Sequence, residues 1–407
     1  MFHNSPHYGS LMDPVAILKN LIAVPSVNPM GRDVLGPEFY ETALTEHLGR
    51  FFDELGVPHE CVEVFPGRAN IIAKYEAADS EITVLLDAHQ DTVPVDGMTI
   101  DPFDPVEKDG RIYGRGACDV KGGMASMLAA FARLVKEKPA GSASVIMSCS
   151  CDEEAAASGV TDLVNLWTDP NRAGTLLEHR PDVAVVAEPT NLDIVVAHRG
   201  ATRWKIKTTG RACHSSQPSD GINAIYRMAK VVDCLERFAD ILPASITPHP
   251  LCGSATLSVG RIEGGISVNT VPDVCTIEID RRVIPGEDGL GVMDDVAAYL
   301  AEHLDFEFEM LPPWIIGTTL SDSASGEWTD HLLGVISEVA GEHRKMGVPY
   351  GTNASRISNG GVPSMVFGPG SIAQAHTKDE WVPIDELQQA SEVYYRFCTS
   401  VVKRETI

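Results

Sequence analysis

The sequence predicts an α/β fold with a smaller α+β domain inserted into it. Three short β-rich runs, ITVLLDA, SVIMSCS and DVAVVA, alternate with helical patterns in the first part of the chain. Between the first two runs, the apolar residues of segment 121–138 recur on one helical face. Strands that alternate with helices are typical of a sheet flanked by helices. We therefore expect a mixed central sheet covered by helices.

Periodicity places the individual elements of this first domain. Segments 12–22 and 38–55 carry apolar residues three and four positions apart, which predicts amphipathic helices. Strands are predicted at 82–88, 144–150 and 182–187, and the same texture returns after residue 311. There the sequence predicts a strand within 362–370 and a final helix at 384–402.

The middle of the chain has a different pattern. Half-exposed strands and two helices follow one another as strand–helix–strand–strand–helix–strand, which is the pattern of a split βαβ domain. The strands are predicted in 202–210, 255–262, 275–283 and 306–311, and the helices from Asn223 to about Ala239 and over 288–303. We therefore predict a first domain at 1–194 that continues at 312–407, and an inserted domain at 195–311.

Composition excludes several classes of partner. The 407 residues include 57 acidic and 32 basic side chains, a net charge of −25, which argues against nucleic acid or anionic membrane as a partner. No apolar run approaches the ~20 residues of a membrane span, and the amino terminus lacks the pattern of a signal peptide. Nine scattered cysteines read as reduced thiols. The sequence thus predicts a cytoplasmic protein.

Polar side chains follow the predicted strands where each one leaves the sheet. Taken singly, each has an ordinary explanation. His89 and Asp91 could be ordinary loop residues, Asp119 could be a helix N-cap, and the acidic residues at 152–154 could form a solvated turn. Together they converge if the sheet is continuous. Imidazole and carboxylate groups without a required thiolate are the ligands expected of a dinuclear zinc or cobalt site. The residues are His89, Asp91, Asp119, Asp152, Glu153, Glu154, Glu188 and His376.

As a set, the motifs resemble the dinuclear zinc hydrolases, the family that includes acetylornithine deacetylase, succinyl-diaminopimelate desuccinylase, aminoacylase and glutamate carboxypeptidase. The resemblance spans about residues 12–402. It implies a zinc-aminopeptidase-like catalytic domain with a ferredoxin-like lid and dimerisation domain. AHRG, SDGINAI and GPGSIAQAH look most like acetylornithine deacetylase. The motifs are HQDTV, GRGACDVKGG, CDEE, AEPT, GRACHSS, GGISVNTVP and GPGSIAQAHTKDE.

The family pattern assigns metal ligands to this sequence. It makes His89 and Glu188 ligands of one divalent ion. Glu154 and His376 would bind the second ion, and Asp119 would bridge the two. Zinc is the first expectation for both ions, with cobalt or manganese as alternatives.

The resemblance also implies catalytic roles beside the metals. Asp91 would hold the His89 ring through its second nitrogen, and the Asp119–Val120 peptide would be cis. Three carboxylate ligands and a bridging hydroxide balance the four positive charges of two divalent ions. Glu153 is then left over as the general base.

Further residues are assigned from the inserted domain. His214 would stabilise the oxyanion from the neighbouring subunit of a homodimer, although the residues alone indicate a surface histidine in a turn. Asn269 and Arg282 match positions that hold the substrate carboxylate. Arg281 competes with Arg282, because strand alternation lets only one of the pair face the site.

One loop of the sequence departs from the family pattern. Gly351 and Thr352 belong to GTNASRI, a segment that lies near substrate in the family. Asn353 stands there where relatives commonly have an acidic residue. This difference leaves acetylornithine open as the substrate.

The resemblance implies a metal-dependent amidohydrolase that removes an acyl group from an N-acyl amino acid. An N-acetylornithine-type substrate, and thus arginine biosynthesis, is the first expectation; a desuccinylase, a dipeptidase or a carboxypeptidase are alternatives. A cysteine hydrolase built on Cys118 or Cys151 would leave the glutamates unexplained. A non-catalytic binding protein that kept the fold would be expected to lack one of the metal ligands or the general base, and none of these residues is missing.

One motif suggests a nucleotide site but does not fit its context. GPGSIA at 368–373 matches a dinucleotide-binding fingerprint, but Pro369 lies inside the turn and no helical pattern follows.

Overall fold

The computed structural model describes residues 10–172 and 174–401. The chain divides into two compact units. The first unit comprises Met1–Val196, Asp322–Met346 and Thr352–Ile407, and the second comprises Ala197–Ser321 and Gly347–Gly351. The second unit thus extends past the predicted boundary at residue 311.

The helices follow the amphipathic segments of the sequence, and several begin at a capping side chain. Asp13 caps the first helix by accepting the N–H of Val15, and Asn223 caps the long helix of the second unit. The helices are α1 (Pro14–Ile22), α2 (Thr42–Leu55), α3 (Lys121–Glu137), α4 (Ser158–Thr168), α5 (Ala224–Ser245), α6 (Gly291–His303), α7 (Gly326–Ala340), α8 (Asn353–Asn359) and α9 (Ile384–Ser400).

The strands agree with the β-rich runs and add several that the sequence did not reveal. They are β1 (His59–Phe65), β2 (Arg68–Tyr75), β3 (Thr83–His89), β4 (Val106–Lys108), β5 (Arg111–Tyr113), β6 (Ser144–Ser150), β7 (Val183–Val186), β8 (Ile194–His198), β9 (Gly200–Thr209), β10 (Cys213–His214), β11 (Thr256–Gly264), β12 (Thr270–Val271), β13 (Val274–Val283), β14 (Phe308–Met310), β15 (Lys345–Val348), β16 (Ser364–Val366) and β17 (Trp381–Pro383).

The start of α2 and the end of α5 differ most from the predicted helix boundaries. The helix expected over 38–55 begins at Thr42, because the preceding turn contains Tyr40 at a φ of 65°, which is outside helical geometry. Helix α5 runs past its expected end near Ala239 to Ser245 and contains Pro243 in its last turn. Burial of Leu242 in a small apolar cluster accompanies this extension. Of the final helix predicted over 384–402, residue 402 lies outside the described residues.

The first unit is built on a large mixed sheet, which confirms the predicted fold class. Its strand order is β1-β2-β6-β3-β7-β16-β8-β15. The central strands β6, β3, β7 and β16 run parallel, whereas β1, β2 and β8 are antiparallel to their neighbours. Parallel strands place their carboxyl ends at one edge of the sheet, and that edge is where the polar residues follow.

Helices cover this sheet and supply its core. α3 packs against α1 and α9, and its small residues allow close contact with the sheet. The fully buried aromatic side chains include Phe52, Phe131 and Phe397, which share one apolar cluster with the inner strands. Helix α3 begins two residues after Asp119, so the packing that fixes this helix also fixes the position of Asp119 at the polar edge.

The second unit has its own sheet and its own core. Four antiparallel strands lie in the order β11-β13-β9-β14, the arrangement expected of a ferredoxin-like split βαβ domain. α5 packs against β9, β11, β13 and α6. Trp204, Met228 and Ile277 are buried at the centre of this core. Among the described helices of either unit, none is long and apolar enough to cross a bilayer.

Candidate active site

The carboxyl ends of the parallel strands bring the predicted polar residues together. His89 ends β3, and the Asp152–Glu154 turn follows β6, the neighbour of β3. In the parallel register His89 lies beside Ser150, the last residue of β6. Glu188 lies two residues beyond β7. The edge therefore collects imidazole and carboxylate groups, as the sequence predicted for a continuous sheet.

Asp119 lies between the two histidines of this cluster. Its Oδ1 is 3.0 Å from His89 Nε2, and its Oδ2 is 3.3 Å from His376 Nε2. Glu154 Oε2 is also 3.3 Å from His376 Nε2. The two oxygens of Asp119 thus face opposite partners, with Glu154 on the His376 side. His89, Asp119 and Glu154 each offer a ligand atom, all within 4.8 Å of one another.

The donor set fits divalent cations. The Glu154 Oε1 atom is buried and, within the described residues, has no hydrogen-bond partner. A buried carboxylate oxygen without a donor is costly, and a cation satisfies it. Glu188 is buried as well, and its pKa is raised by burial and by the charges of Asp119 and Glu153. Two imidazoles with several carboxylates suit zinc and its neighbours in the first transition row.

Crowded carboxylates and histidines shift the protonation of the whole cluster. Burial raises the pKa of Glu153 to about 8 and, with the Asp119 charge, that of Glu154 to about 7. Hydrogen bonds to Asp119 and Glu154 raise the pKa of His376 to about 10. The pKa of Asp119 is lowered by the two histidines, although burial opposes that shift. Without cations, the folded cluster therefore holds protons that the unfolded chain releases.

This proton uptake predicts how a metal changes stability with pH. Groups with a raised pKa make the metal-free protein less stable as the pH rises from about 5 to about 8, since the folded state binds more protons there. A bound cation displaces those protons and removes the penalty. The melting temperature of zinc-loaded protein should therefore exceed that of chelator-treated protein by a margin that widens from pH about 5.5 to about 8. A constant margin, measured by scanning fluorimetry, would contradict the assignment.

Asp91 supports the cluster in a different way from the one expected. The His89 Nδ1 atom contacts the main-chain carbonyl oxygen of Asp91 at 2.9 Å, and the Asp91 carboxylate lies farther away, at 3.7 Å. That carboxylate instead accepts the N–H groups of Glu153 and Glu154, at 3.0 and 3.1 Å. Because these donors take up both oxygens, the carboxylate anchors the Glu153–Glu154 main chain, and the carbonyl orients the ring.

Glu380 fixes the loop that carries Asp119. Its Oε1 accepts the N–H groups of Cys118 and Asp119, both at 2.9 Å, and its Oε2 accepts Gly116 N–H and Arg115 Nη1. The side chain is fully buried. The Asp119–Val120 peptide in this loop is cis, as expected. Glu380 had no role in the sequence interpretation, although the GPGSIAQAHTKDE motif contains it.

Comparison with known proteins now identifies the family. Residues 85–400 match peptidase family M20/M25/M40. This chain belongs to that family. Acetylornithine deacetylase of Vibrio campbellii is 31% identical to it over 369 residues, which cover 86% of this chain and 89% of that protein. As a member of the M20 family, the chain is a hydrolase that acts on amide bonds.

Solved structures of M20 proteins have the same fold. An M20 metallo-carboxypeptidase from Sulfolobus solfataricus superposes with a TM-score of 0.73 at 17% identity, covering 95% of this chain and 98% of that one. The YXEP protein of Bacillus subtilis, described as a dinuclear metal binding peptidase, gives a TM-score of 0.67 at 17% identity, covering 96% and 98%. At this identity the likeness concerns the fold.

The loop at 351–353 does not present the side chain that the sequence singled out. Asn353 is buried, and its Nδ2 donates to Asp87 Oδ2 at 3.0 Å and to Ser150 Oγ at 2.9 Å. The Asn353 amide thus bonds to two neighbouring strands, β3 and β6, of the large sheet. Thr352 is buried and caps α8, whereas Gly351 is exposed.

Arg356 is a functional candidate that the sequence analysis missed. It lies one turn along α8 from Asn353 and is half-buried. Within the described residues its guanidinium makes no hydrogen bond or ion pair. Burial lowers its pKa, and the Glu153 carboxylate raises it in part, which places the two charges near each other. The feature that marks Arg356 is a half-buried guanidinium near Glu153 without a hydrogen bond or ion pair among the described residues, and only the structure reveals it.

The candidates from the inserted domain lie in the second unit. His214 and Asn269 are on adjacent, exposed segments, since β10 pairs with β12 and Ser215 N–H donates to the Asn269 carbonyl. Arg281 is buried and bonds to Glu287 at 2.5 Å, which leaves Arg282 on the opposite face of β13. Strand alternation thus separates the two arginines as expected.

The cysteines near the site are thiols of the interior. Cys118, Cys149 and Cys151 are free and buried. Burial raises the pKa of Cys118 and Cys149 well above the ordinary thiol value. A nucleophilic cysteine needs a lowered pKa. The structure therefore opposes the cysteine-hydrolase alternative, in agreement with membership of the M20 family.

Proposed function

We propose that this M20 hydrolase removes the acyl group of an N-acyl amino acid, with an N-acetylornithine-type substrate as the first candidate. One observation carries the proposal: Asp119 contacts His89 and His376, and His376 also contacts Glu154. Glu153 precedes Glu154, its main-chain N–H is bonded to Asp91, and its carboxylate has no hydrogen-bond partner among the described residues. The similarity to acetylornithine deacetylases supports the choice of an acetylated amino acid.

Two divalent cations complete the proposed site. His89 and Glu188 would hold one, Glu154 and His376 would hold the other, and Asp119 would serve both. Zinc is the first candidate, with cobalt or manganese as alternatives. When bound, the cations supply Lewis acidity at the amide carbonyl and make water more acidic.

The side chains then perform the proton chemistry. Glu153 takes a proton from the attacking water and delivers it to the nitrogen of the leaving amine. Asp91 holds the main chain of Glu153 through one hydrogen bond of 3.0 Å, so the carboxylate keeps its position between the two transfers. Asn269 and Arg282 are proposed to bind the substrate carboxylate, together with the loop at Gly351 and Thr352.

Arg356 favours a second candidate substrate. An unpaired guanidinium near Glu153 suits an acyl group that ends in a carboxylate, such as succinyl, because arginine binds carboxylates through its planar fork. N-succinyl-diaminopimelate is therefore the second candidate. A dipeptide or a carboxypeptidase substrate has the same scissile bond and remains an alternative.

A substrate panel tests these proposals directly. Zinc- or cobalt-loaded protein is assayed for amine release from N-acetylornithine, other N-acetyl amino acids, N-succinyl amino acids and dipeptides, with a chelator-treated set alongside. Chelator-sensitive release from N-acetylornithine is the expected result. R356M should then raise KM about tenfold or more for succinyl substrates and leave acetyl substrates little changed. An equal effect on both classes would remove Arg356 from acyl recognition.

We also propose a homodimer formed through the second unit, with His214 acting on the neighbouring subunit. Exposed apolar residues support this surface: Ile266 and Val268 are 92% and 99% exposed, and Tyr226 is 72% exposed. Ile266 and Val268 lie in the turn just after the edge strand β11, whose outer hydrogen-bonding groups are available for pairing. Nine free cysteines support a reducing, cytoplasmic compartment.

Subunit mixing tests the shared site. H214A and E153Q are each expected to be nearly inactive with metal bound. A hybrid dimer has one site with both Glu153 and His214 if the histidine crosses between subunits. Mixing the two variants should then restore about a quarter of the wild-type activity, since half of the random pairs are hybrids with one complete site each. Sedimentation as a monomer, or no recovery on mixing of exchanged subunits, would overturn the proposal.

A further inference from the structure

The main chain of the Asp152–Glu154 turn is held by two buried carboxylates from other parts of the chain. The Asp152 N–H donates to Glu41 Oε1 at 3.1 Å, and the next two N–H groups donate to Asp91. Asp152 has a φ of 62°, in the left-handed region that non-glycine residues rarely adopt. Three successive donors and a disfavoured backbone conformation indicate that the turn depends on its surroundings for its shape.

Arg68, the first residue of β2, joins the carboxylates on one side of this turn. Its Nη1 donates to Asp152 Oδ1 at 2.8 Å, its Nε donates to Glu41 Oε2 at 2.8 Å, and its Nη2 bonds to Glu41 Oε1. The three side chains are only 12%, 5% and 0% exposed for Arg68, Asp152 and Glu41. Charge-assisted bonds of this kind, shielded from water, are geometrically demanding.

Asn28 extends the same network to the residue that holds Glu153. Its Nδ2 donates to Asp152 Oδ1 at 3.0 Å and to Asp91 Oδ2 at 2.8 Å. Hydrogen bonds therefore run without a break from Arg68 through Asp152 and Asn28 to Asp91. The Asp91 Oδ1 atom in turn accepts the N–H of Glu153. None of these contacts involves the groups assigned to the metals, apart from the Glu154 N–H.

The charges explain why an arginine is needed in this position. Glu41 and Asp152 are buried carboxylates that share one partner, and removing a partner from a buried ion pair leaves an uncompensated charge. Without Arg68, repulsion between the two carboxylates acts directly on the Asp152 side chain and thus on the turn. Displacing a catalytic group by about 1 Å can reduce the rate by about 10²-fold.

We propose that Arg68 is a positioning residue for Glu153: through Asp152, Glu41 and Asn28 it holds the Asp152–Glu154 turn so that the Glu153 carboxylate lies where the proton transfers occur. The inference rests on the proposed role of Glu153 as the general base. A lysine offers a single ammonium group in place of the three-point fork, so R68K should preserve the charge and lose part of the geometry.

The test compares R68M and R68K with wild type on whichever substrate the panel identifies. R68M should lower kcat about 10- to 100-fold, with KM within about twofold and two metal ions per chain retained. R68K should lie between R68M and wild type. R172M is the matched control, because Arg172 makes a bidentate pair with Asp162 at 2.8 and 2.9 Å away from the assigned ligands. It should keep wild-type kinetics.

A double variant separates positioning from a general structural role. If Arg68 acts through Glu153, adding R68M to E153Q should change kcat by less than about twofold, because the base is already lost. E41Q disrupts the same network at the carboxylate that Arg68 contacts, and it replaces R68M in the test if R68M does not fold. It should show the same loss of kcat. A lower melting temperature with unchanged kcat, an additive loss in the double variant, or loss of metal would each overturn the proposal. Failure of the proposed function itself would be distinct, since wild type would then release no amine and E153Q would have no effect.

Discussion

Replacing Glu153 with glutamine is expected to reduce kcat by roughly 10²- to 10⁴-fold while both metal ions stay bound. Glutamine keeps the shape of the side chain, and the main-chain N–H of residue 153 can still donate to Asp91. The glutamine amide, however, can neither accept the proton from water nor return it to the amine. Turnover on the identified substrate and metal content by mass spectrometry measure the two effects. KM should change little, because the proposed substrate-binding residues do not include Glu153.

Glu154 provides the contrast for this experiment. It is adjacent in sequence and similarly placed, but its Oε2 faces His376 and its Oε1 has no hydrogen-bond partner in the described structure. E154Q should therefore lose metal as well as activity. If E153Q also lost metal, Glu153 would be a ligand and the base would have to be sought elsewhere.

Replacing Asp119 with asparagine should have an even larger effect, because one residue serves both proposed ions. Its two oxygens face His89 and His376 at 3.0 and 3.3 Å, and an amide nitrogen in place of either oxygen is not a ligand for a divalent cation. Metal content should fall from two ions per chain to less than one, and activity should fall below detection. The rise in melting temperature on adding zinc should disappear as well.

D193N is a suitable control for D119N. Asp193 also contacts a histidine, His343, at 3.2 Å, and it accepts the main-chain N–H of Arg344. It lies in the same unit but outside the cluster of assigned ligands. D193N should keep metal content and kcat close to wild type. Two retained metal ions in D119N would refute the bridging role of Asp119.

The sequence predicts a candidate site at one edge of the sheet. His89 and Glu188 follow buried strands directly, and a parallel sheet places the ends of such strands side by side. The glycine-rich segment before α3 and the acidic turn after β6 could be read in the same way. These are local patterns combined with one rule of topology. In the structure, His89, Asp119, Glu154 and His376 lie within contact distance of one another in a chain of three pairs.

Contacts between distant segments could not be predicted in this way. Asn353 was interpreted from its position in a loop, but its amide points to Asp87 and Ser150, strand residues some 200 or more positions earlier in the chain. Glu380 and Arg68 act by the same kind of long-range hydrogen bond. Such pairings depend on how the elements pack, and one sequence without alignment carries no record of that packing. Strands β1 and β2, the first two of the large sheet, were also missed. The residues of β1 are all half-buried or exposed, which is a weak pattern, whereas β2 contains a buried run at residues 70–73.

The strand order of the large sheet bears on how this protein can be made. Strand β16, near the end of the chain, lies between β7 and β8, which are synthesised long before it. A growing or truncated chain that stops before Ser364 leaves two apolar strands with unpaired edges, and such edges favour aggregation. The N–H groups of the Asp119 loop likewise have no acceptor at Glu380 until that residue has been synthesised. A nascent chain therefore cannot complete either the large sheet or the Asp119 loop until almost its last segment leaves the ribosome. Fragments that end earlier should need chaperones to stay in solution.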